Sequence, residues 1–154
     1  MTVIGQFRID DFGGFQPETS EPGLYQTQLK KAAKLERLLQ DTRRDADILK
    51  RTNSSSVAGS IEVTDTIFTH SEAEVSKSTR LSYDTHSGEL QSYSARIVGP
   101  GERIRLRYSA NPLLLELKAS SFRGEIPTVT KSLKLKQVGD NLFELSEEHD
   151  LTSN

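Results

Sequence analysis

The feature that most constrains the fold is a change in hydrophobic period about one third of the way along the chain. Residues 25–51 contain no glycine or proline and are rich in strong helix formers. Two sets of residues repeat there every seven positions: Tyr25, Ala32, Leu39 and Ala46, with Gln28, Leu35, Thr42 and Leu49 three positions later. From residue 61 onward, apolar and polar residues alternate instead. The chain is therefore predicted to form one long amphipathic helix followed by β-strands.

The alternating part predicts antiparallel strands. Its short apolar runs lie between turn residues such as Gly88, Gly99 and Gly139, at intervals of roughly 8–12 positions. This spacing is typical of sandwiches and barrels, and the strand–helix alternation of a parallel α/β fold is absent. The predicted fold class is α+β, mainly β: a long N-terminal helix followed by a six- or seven-stranded antiparallel β sandwich or barrel.

The same patterns divide the chain into five segments. Residues 1–24 are predicted to be an irregular arm, with room for a short strand at residues 3–9, because glycine and proline recur there. The other boundaries place the helix at 25–51, a linker at 52–60, the β domain at 61–146 and a polar tail at 147–154. Three of the six phenylalanines lie in the arm, so we expect the arm to pack, either on its own domain or on a partner chain.

The predicted helix has two possible packing partners. Its heptad pattern suits pairing with another helix, in a homo-oligomer or with a protein partner, through Leu35, Leu39 and Leu49. Leu29 and Leu38 widen the apolar stripe, and a broad stripe is typical of a helix that lies on a core. The sequence favours neither alternative.

Composition excludes several classes of protein. The chain has no cysteine, so disulfides, thiolate catalysis and cysteine-ligated zinc are excluded. With 20 basic and 22 acidic residues, its overall charge does not attract nucleic acid or acidic lipid. The longest apolar run, residues 113–115, is far too short to span a bilayer, and the N-terminus lacks the pattern of a secretory signal. We expect a cytoplasmic protein without a membrane span.

No catalytic or cofactor motif is present. His70, His86 and His149 are far apart in the sequence, and no Gly-x-Ser-x-Gly turn or phosphate-binding glycine loop occurs. The neighbouring carboxylates Glu72/Glu74 and Glu147/Glu148 need not face each other across a cleft. The sequence therefore predicts a non-catalytic protein without metal or cofactor.

The most suggestive chemical pattern is a set of basic residues on two predicted strands. Arg103, Arg105 and Arg107 alternate with apolar residues, and Lys134 and Lys136 form a shorter row. If the two strands are neighbours, the five cations share one face and, with a nearby tyrosine (Tyr83, Tyr93 or Tyr108), could hold single-stranded nucleic acid. The simpler interpretation is a solvated strand face with cross-strand partners at Glu89, Glu102 and Glu116.

Three functional hypotheses follow. The first is a protein–protein interaction or assembly subunit, in which the arm and the helix tether the β domain to a partner or to another copy. The second is a single-stranded nucleic-acid-binding β domain that uses the five cations. The third is a carrier of a small apolar ligand.

Overall fold

A computed structural model describes residues 2–53, 59–68 and 74–151 and places one long helix against one sheet. The helix α1 spans Pro22–Thr52. The strands are β1 Thr2–Ile9, β2 Phe15–Pro17, β3 Ser60–Phe68, β4 Glu74–Tyr83, β5 Leu90–Gly99, β6 Glu102–Ser109, β7 Leu114–Arg123, β8 Ile126–Gly139 and β9 Leu142–Leu151. The fold is thus mainly β, with one long helix.

The nine strands form a single antiparallel sheet in the order β2-β1-β9-β8-β7-β6-β5-β4-β3. The strands β2 and β3 are its two edges, so the described sheet is not closed. The seven predicted runs correspond to β3–β9, and the two further strands come from the arm. Antiparallel pairing is confirmed, the strand number is nine rather than six or seven, and a sandwich or a barrel is not confirmed.

The arm joins the sheet through two strands, of which β1 is the short strand expected at residues 3–9 and β2 was not expected. Strand β1 pairs with both β2 and β9, and Phe7 and Phe15 are buried in the core, where the Phe15 ring lies edge-on to Phe143 at a centroid distance of 5.6 Å. Phe12, at the turn between β1 and β2, is 98% exposed. The aromatic content of the arm is therefore explained mainly by packing on its own domain.

The predicted polar tail is also wrong in its first part, since β9 continues to Leu151. Residues of this segment pair with β8; for example, Lys131 lies opposite His149 and Leu133 opposite Glu147. Main-chain pairing does not require apolar side chains, so a charged strand at the end of a sheet is hard to distinguish from a tail. Residues 152–154 lie outside the described residues.

The helix begins at Pro22, three residues earlier than predicted. Proline is favoured in the first helical turn because a main-chain N–H at that position forms no hydrogen bond within the helix, so its absence costs nothing. Pro22 and Gly23 are among the prolines and glycines from which residues 1–24 are predicted to be irregular. At the other end, the Asn53 main-chain N–H donates to Leu49 O at 3.0 Å and caps the helix.

The heptad stripe of α1 is the face that packs on the sheet. Ala32, Leu35, Leu39 and Ala46 are buried among core residues from the strands, and Leu49 packs against the same core. The two polar members of the stripe each donate one hydrogen bond: Gln28 Nε2 to Ile4 O on β1 at 2.9 Å, and Thr42 Oγ1 to Leu38 O at 2.8 Å. The prediction that Leu35, Leu39 and Leu49 bind a partner is therefore corrected, because their surface is covered by this chain's own sheet.

Polar contacts show that α1 runs across the strands. Near its start, Lys31 Nζ lies 2.7 Å from the Glu147 carboxylate on β9. Near its end, Asp45 accepts a hydrogen bond from the Tyr93 hydroxyl on β5 and lies 3.7 Å from Lys77 on β4. Lys50 donates to Gly88 O at 2.8 Å and lies over the Tyr83 ring.

The helix gives the sheet two unlike faces. We call the side that carries α1 the helix face and the other side the open face. The helix face includes the buried core residues of the strands: Phe7, Phe15, Ile61, Leu81, Tyr93, Ala95, Tyr108, Leu115, Leu135, Phe143 and Leu145. Side chains of alternate residues therefore lie on the open face.

Candidate nucleic-acid interface

The three predicted arginines lie side by side on the open face. Strand β6 alternates between Arg103, Arg105 and Arg107, which are exposed, and Ile104, Leu106 and Tyr108, which are half-buried or buried. The period of two in the sequence therefore placed this part of the predicted face correctly. Successive arginines stand about 6.6 Å apart along the strand, as two residues of an extended chain require.

The two predicted lysines share this face but not a neighbouring strand. Strand β7 lies between β6 and β8, and in its register Arg107 stands opposite Glu116 and Glu116 opposite Lys134. Lys136 stands opposite Leu114, one row further along. The expectation that the two basic strands are neighbours is thus wrong, and about 10 Å, or two strand spacings, separates them.

Pairing of β5, β6 and β7 reveals a second alignment of cations that the sequence did not suggest. Arg96 on β5 lies directly opposite Arg105, and Arg105 lies directly opposite Lys118 on β7. We call Arg96, Arg105 and Lys118 the cationic row. All three side chains are exposed. The row runs across the strands, so it depends on register between residues that are distant in the chain.

No member of the cationic row forms an ion pair within the part of the chain that the structure describes. Elsewhere on the open face, Arg80 lies 3.1 Å from Glu62 and Arg107 lies 3.9 Å from Glu116. Like charges directly opposite each other on adjacent strands are destabilising. The row is therefore an electrostatically unfavourable arrangement in the isolated protein.

An aromatic ring lies beside the row. The Arg103 guanidinium lies over the half-buried Phe122 ring, 4.7 Å from its centroid. A shallow depression of about 250 Å³ is lined by Arg96, Arg103, Ile104, Arg105, Lys118, Ser120 and Phe122. Ser78 and Ser132 stand at the two ends of the cationic row and add hydroxyl groups.

Other expected members of the interface lie elsewhere. Tyr93 and Tyr108 are buried on the helix face, and Tyr83 packs under Lys50, so the tyrosines offer no stacking surface on the open face. Among the expected acidic partners, Glu116 pairs with Arg107, whereas neither Glu89 nor Glu102 forms an ion pair with any described residue.

Three groups elsewhere have a clearly shifted pKa. Burial, reinforced by the Asp45 carboxylate, raises the pKa of Tyr93 above its ordinary value. Main-chain N–H groups lower the pKa of the Asp10 and Asp84 carboxyls in their turns. None of these groups lies in the candidate interface. Asp10 and Asp84 stabilise turns by accepting hydrogen bonds from main-chain N–H groups.

The described residues contain no group of three or more histidine, aspartate or glutamate side chains that could hold a metal ion. His86 and His149 are exposed and far apart in the fold, and His70 and Glu72 lie outside the described residues. Among the described segments, no helix is long and apolar enough to cross a membrane.

Comparison with known proteins found no matching family model, no similar curated protein and no similar solved structure. The geometry of the open face is therefore the basis for a functional proposal.

Proposed function

We propose that this chain is a single-stranded nucleic-acid-binding β domain and that its binding surface is the open face of the sheet. The observation that carries the proposal is the cationic row: Arg96, Arg105 and Lys118 are adjacent, exposed and without an acidic partner among the described residues. Arg103, Arg107, Lys134 and Lys136 extend the surface on both sides.

A polyanion matches this surface because the cations form a regular array. Neighbouring strands place charges about 4.8 Å apart across the sheet, and alternate residues place them about 6.6 Å apart along β6. A chain of phosphates would neutralise several of these like charges at once and release its own counterions. A solvated face would instead be expected to place acidic residues opposite the arginines, as Glu62 lies opposite Arg80.

Single strands fit the shape better than duplexes. The major groove of DNA accepts a helix or a two-stranded ribbon, whereas this face spans several strands. Unpaired bases can stack on aromatic rings and guanidinium planes, and Phe122 with Arg103 supplies both beside the cationic row.

Binding of fluorescein-labelled oligo(dT) and oligo(rU), followed by anisotropy as salt is raised, tests the proposal. The variant Arg96→Ser/Arg105→Ser/Lys118→Ser should bind more weakly, and the slope of log K against log salt should fall by about 2, the share of three phosphate contacts on a single strand. Lys30→Ser/Arg43→Ser/Arg51→Ser makes the same charge change on the exposed side of α1 and should keep the slope.

Absence of binding at about 50 mM salt would exclude the proposal, because electrostatic affinity is strong under that condition. Equal losses in the two triple variants would mean that net charge, and not the open face, causes binding. Binding to vesicles of acidic phospholipid without any affinity for oligonucleotides would assign the cationic row to a membrane surface instead.

A second candidate function is binding of a protein partner, through the arm and not through the helix. Phe12 is 98% exposed and Val138 is 43% exposed. Both lie at the same end of the sheet. There the Asn141 side chain accepts a hydrogen bond from Ile9 N–H and donates one to Ile9 O. Light scattering of the full chain and of Phe12→Ser tests this candidate. An oligomeric wild type that becomes a monomer on substitution supports this candidate. If both proteins are monomers, self-association is excluded.

A further inference from the structure

A second cleft lies mainly on the helix face and shares one lining residue, Ser132, with the end of the cationic row. It has a volume of about 900 Å³ and lies between α1 and the strands β1, β7, β8 and β9. Pockets that hold small ligands usually measure about 300–1,000 Å³. The cleft is therefore large enough for a small molecule, and it opens to solvent beside the helix.

The floor of this cleft is apolar on β7, β8 and β1, whereas Glu147 and His149 line it on β9. Leu117, Ala119, Leu133 and Ile4 line it and are half-buried. Leu133 and Ile4 also touch the core, whereas Leu117 and Ala119 do not belong to the core cluster or to the residues packed against it. Leu117 and Ala119 thus present apolar surface on the side of the sheet that is otherwise covered by α1.

The rim of the cleft is cationic on the helix side. Lys34 on α1 and Lys131 on β8 are exposed lining residues without an ion pair among the described residues. The nearby Glu147 carboxylate is neutralised by Lys31 at 2.7 Å. Glu148 and Asp150 line the cleft from β9, where strand alternation directs them toward the open face. An acidic head group would therefore meet two unpaired ammonium groups above an apolar floor.

We propose that the cleft binds a single-chain amphipathic anion, with its hydrocarbon chain on Leu117, Ala119 and Leu133 and its carboxylate between Lys34 and Lys131. Leu117, Ala119 and Leu133 lie on the adjacent strands β7 and β8, and the cleft continues across β9, where Glu147 and His149 line it, to β1. Its whole width from β7 to β1 is three strand spacings, about 14 Å, which is close to the extended length of dodecanoate. Burial of the chain supplies most of the affinity, and the two lysines orient the head group.

Dodecanoate, kept below its micelle concentration, is the probe, and dodecanol is the matched neutral ligand. Displacement of the fluorescent dye anilinonaphthalene sulfonate and calorimetric titration both report binding. Lys34→Glu/Lys131→Glu should weaken dodecanoate about tenfold or more, as the loss of two charge-assisted contacts implies, and leave dodecanol nearly unchanged. Lys30→Glu/Lys136→Glu makes the same charge change away from the cleft and should change neither affinity.

Filling the cleft should abolish binding of both ligands, so Ala119→Phe is the second variant. Leu117→Asn replaces it if Ala119→Phe lowers the thermal midpoint. The proposal is overturned if the wild type binds neither ligand, or if a folded cleft variant binds as the wild type does. Equal losses for dodecanoate and dodecanol in the lysine variant would overturn the assigned head-group position.

This proposal does not rest on the nucleic-acid proposal. Arg96→Ser/Arg105→Ser/Lys118→Ser should bind dodecanoate like the wild type, because the cationic row is on the other face of the sheet. Each variant set therefore tests one surface, and one surface can fail without the other.

Discussion

Gly5 on β1 and Gln28 on α1 are in close contact. A Cβ added to Gly5 would lie 2.6 Å from the Gln28 side-chain carbon Cδ, which is too close. Gln28 is buried, donates from Nε2 to Ile4 O, and its Oε1 has no hydrogen-bond partner among the described residues. The amide is thus held against the strand at a point where only a glycine leaves room for it.

Gly5→Ala is therefore expected to lower the free energy of unfolding by about 1–3 kcal/mol, because Gln28 must move and lose its hydrogen bond. The same substitution should cost less in a Gln28→Ala background, where the clash is absent. Urea unfolding followed by circular dichroism on the four proteins measures the coupling. Additive effects would show that the two side chains do not meet.

Tyr93 makes stability depend on alkaline pH. Its hydroxyl is buried and donates to Asp45, and burial is the main reason that its pKa is raised above the ordinary 10.0. Above about pH 10 the unfolded chain loses this proton before the folded protein does, so the folded state binds more protons and stability falls as pH rises.

Tyr93→Phe should therefore lose less stability between pH 10 and pH 11 than the wild type, because it lacks the hydroxyl whose pKa is raised by folding. At pH 7 the variant should be less stable by about 1 kcal/mol, because the hydrogen bond to Asp45 is lost. Urea midpoints at pH 7, 9, 10 and 11 measure both effects. Parallel pH profiles for the two proteins would contradict the assignment.

At the scale of elements, α1, β1 and β2 are parts of the core and not attachments to it. They contribute Phe7, Phe15, Ala32, Leu35, Leu39 and Ala46 to the buried cluster. Removing them uncovers the apolar helix face of the remaining strands, such as Leu81, Leu115 and Leu135.

A chain that starts at Ser56 is accordingly expected to lose cooperative unfolding and to aggregate, because its strands would expose a large apolar surface. Circular dichroism during urea unfolding, together with light scattering, measures this outcome. A folded monomer with a sharp transition would show that the β3–β9 strands form an independent core. In that case α1 would be a tether that the core does not need for folding.

An element was predictable from the sequence where its hydrophobic residues repeat with a clear helical or strand period. The heptad set around Leu35 and Leu39 and the alternation around Leu106 were strong enough to locate α1 and β3–β9. The short strand expected at residues 3–9 is confirmed as β1, whereas β2 ends at Pro17 and resembles a loop although Phe15 is buried. Their strand pairing comes from tertiary contacts that no local pattern encodes.

The candidate interface was predictable along a strand but not across strands. Alternation alone put Arg103, Arg105 and Arg107 on one face. Arg96 and Lys118 lie 9 and 13 residues from Arg105, and their alignment depends on two hairpin registers that a shift of one residue would destroy. The same absence of register information led to the expectation that β6 and β8 are neighbours.

At the scale of the whole molecule, charge is segregated although the net value is only -2. On the open face of β5, β6 and β7, the side chains of Arg96, Arg103, Arg105, Arg107 and Lys118 are accompanied by one acidic residue, Glu116. Short Debye lengths make a polyanion respond to this local charge more than to the sum over the chain.

The protein should therefore be retained on immobilised heparin at low salt, at a pH above its isoelectric point, where its net charge is negative. Arg96→Ser/Arg105→Ser/Lys118→Ser should elute at lower salt because the local charge is reduced. The elution position in a salt gradient is the measurement. Flow-through of the wild type would show that the overall charge dominates.

The pairing of β1 with β9 has a consequence for how the chain reaches its final state on the ribosome. Thr2 lies opposite Glu147 and Phe7 opposite Phe143, so one edge of β1 stays without its neighbour until the last strand has been synthesised. The hairpins from β3 to β8 can form as they emerge, whereas the β1–β9 contacts close a loop of nearly the whole chain and form late. During that interval the uncovered edges of β1 and β8 are the places where nascent chains of this protein would associate wrongly.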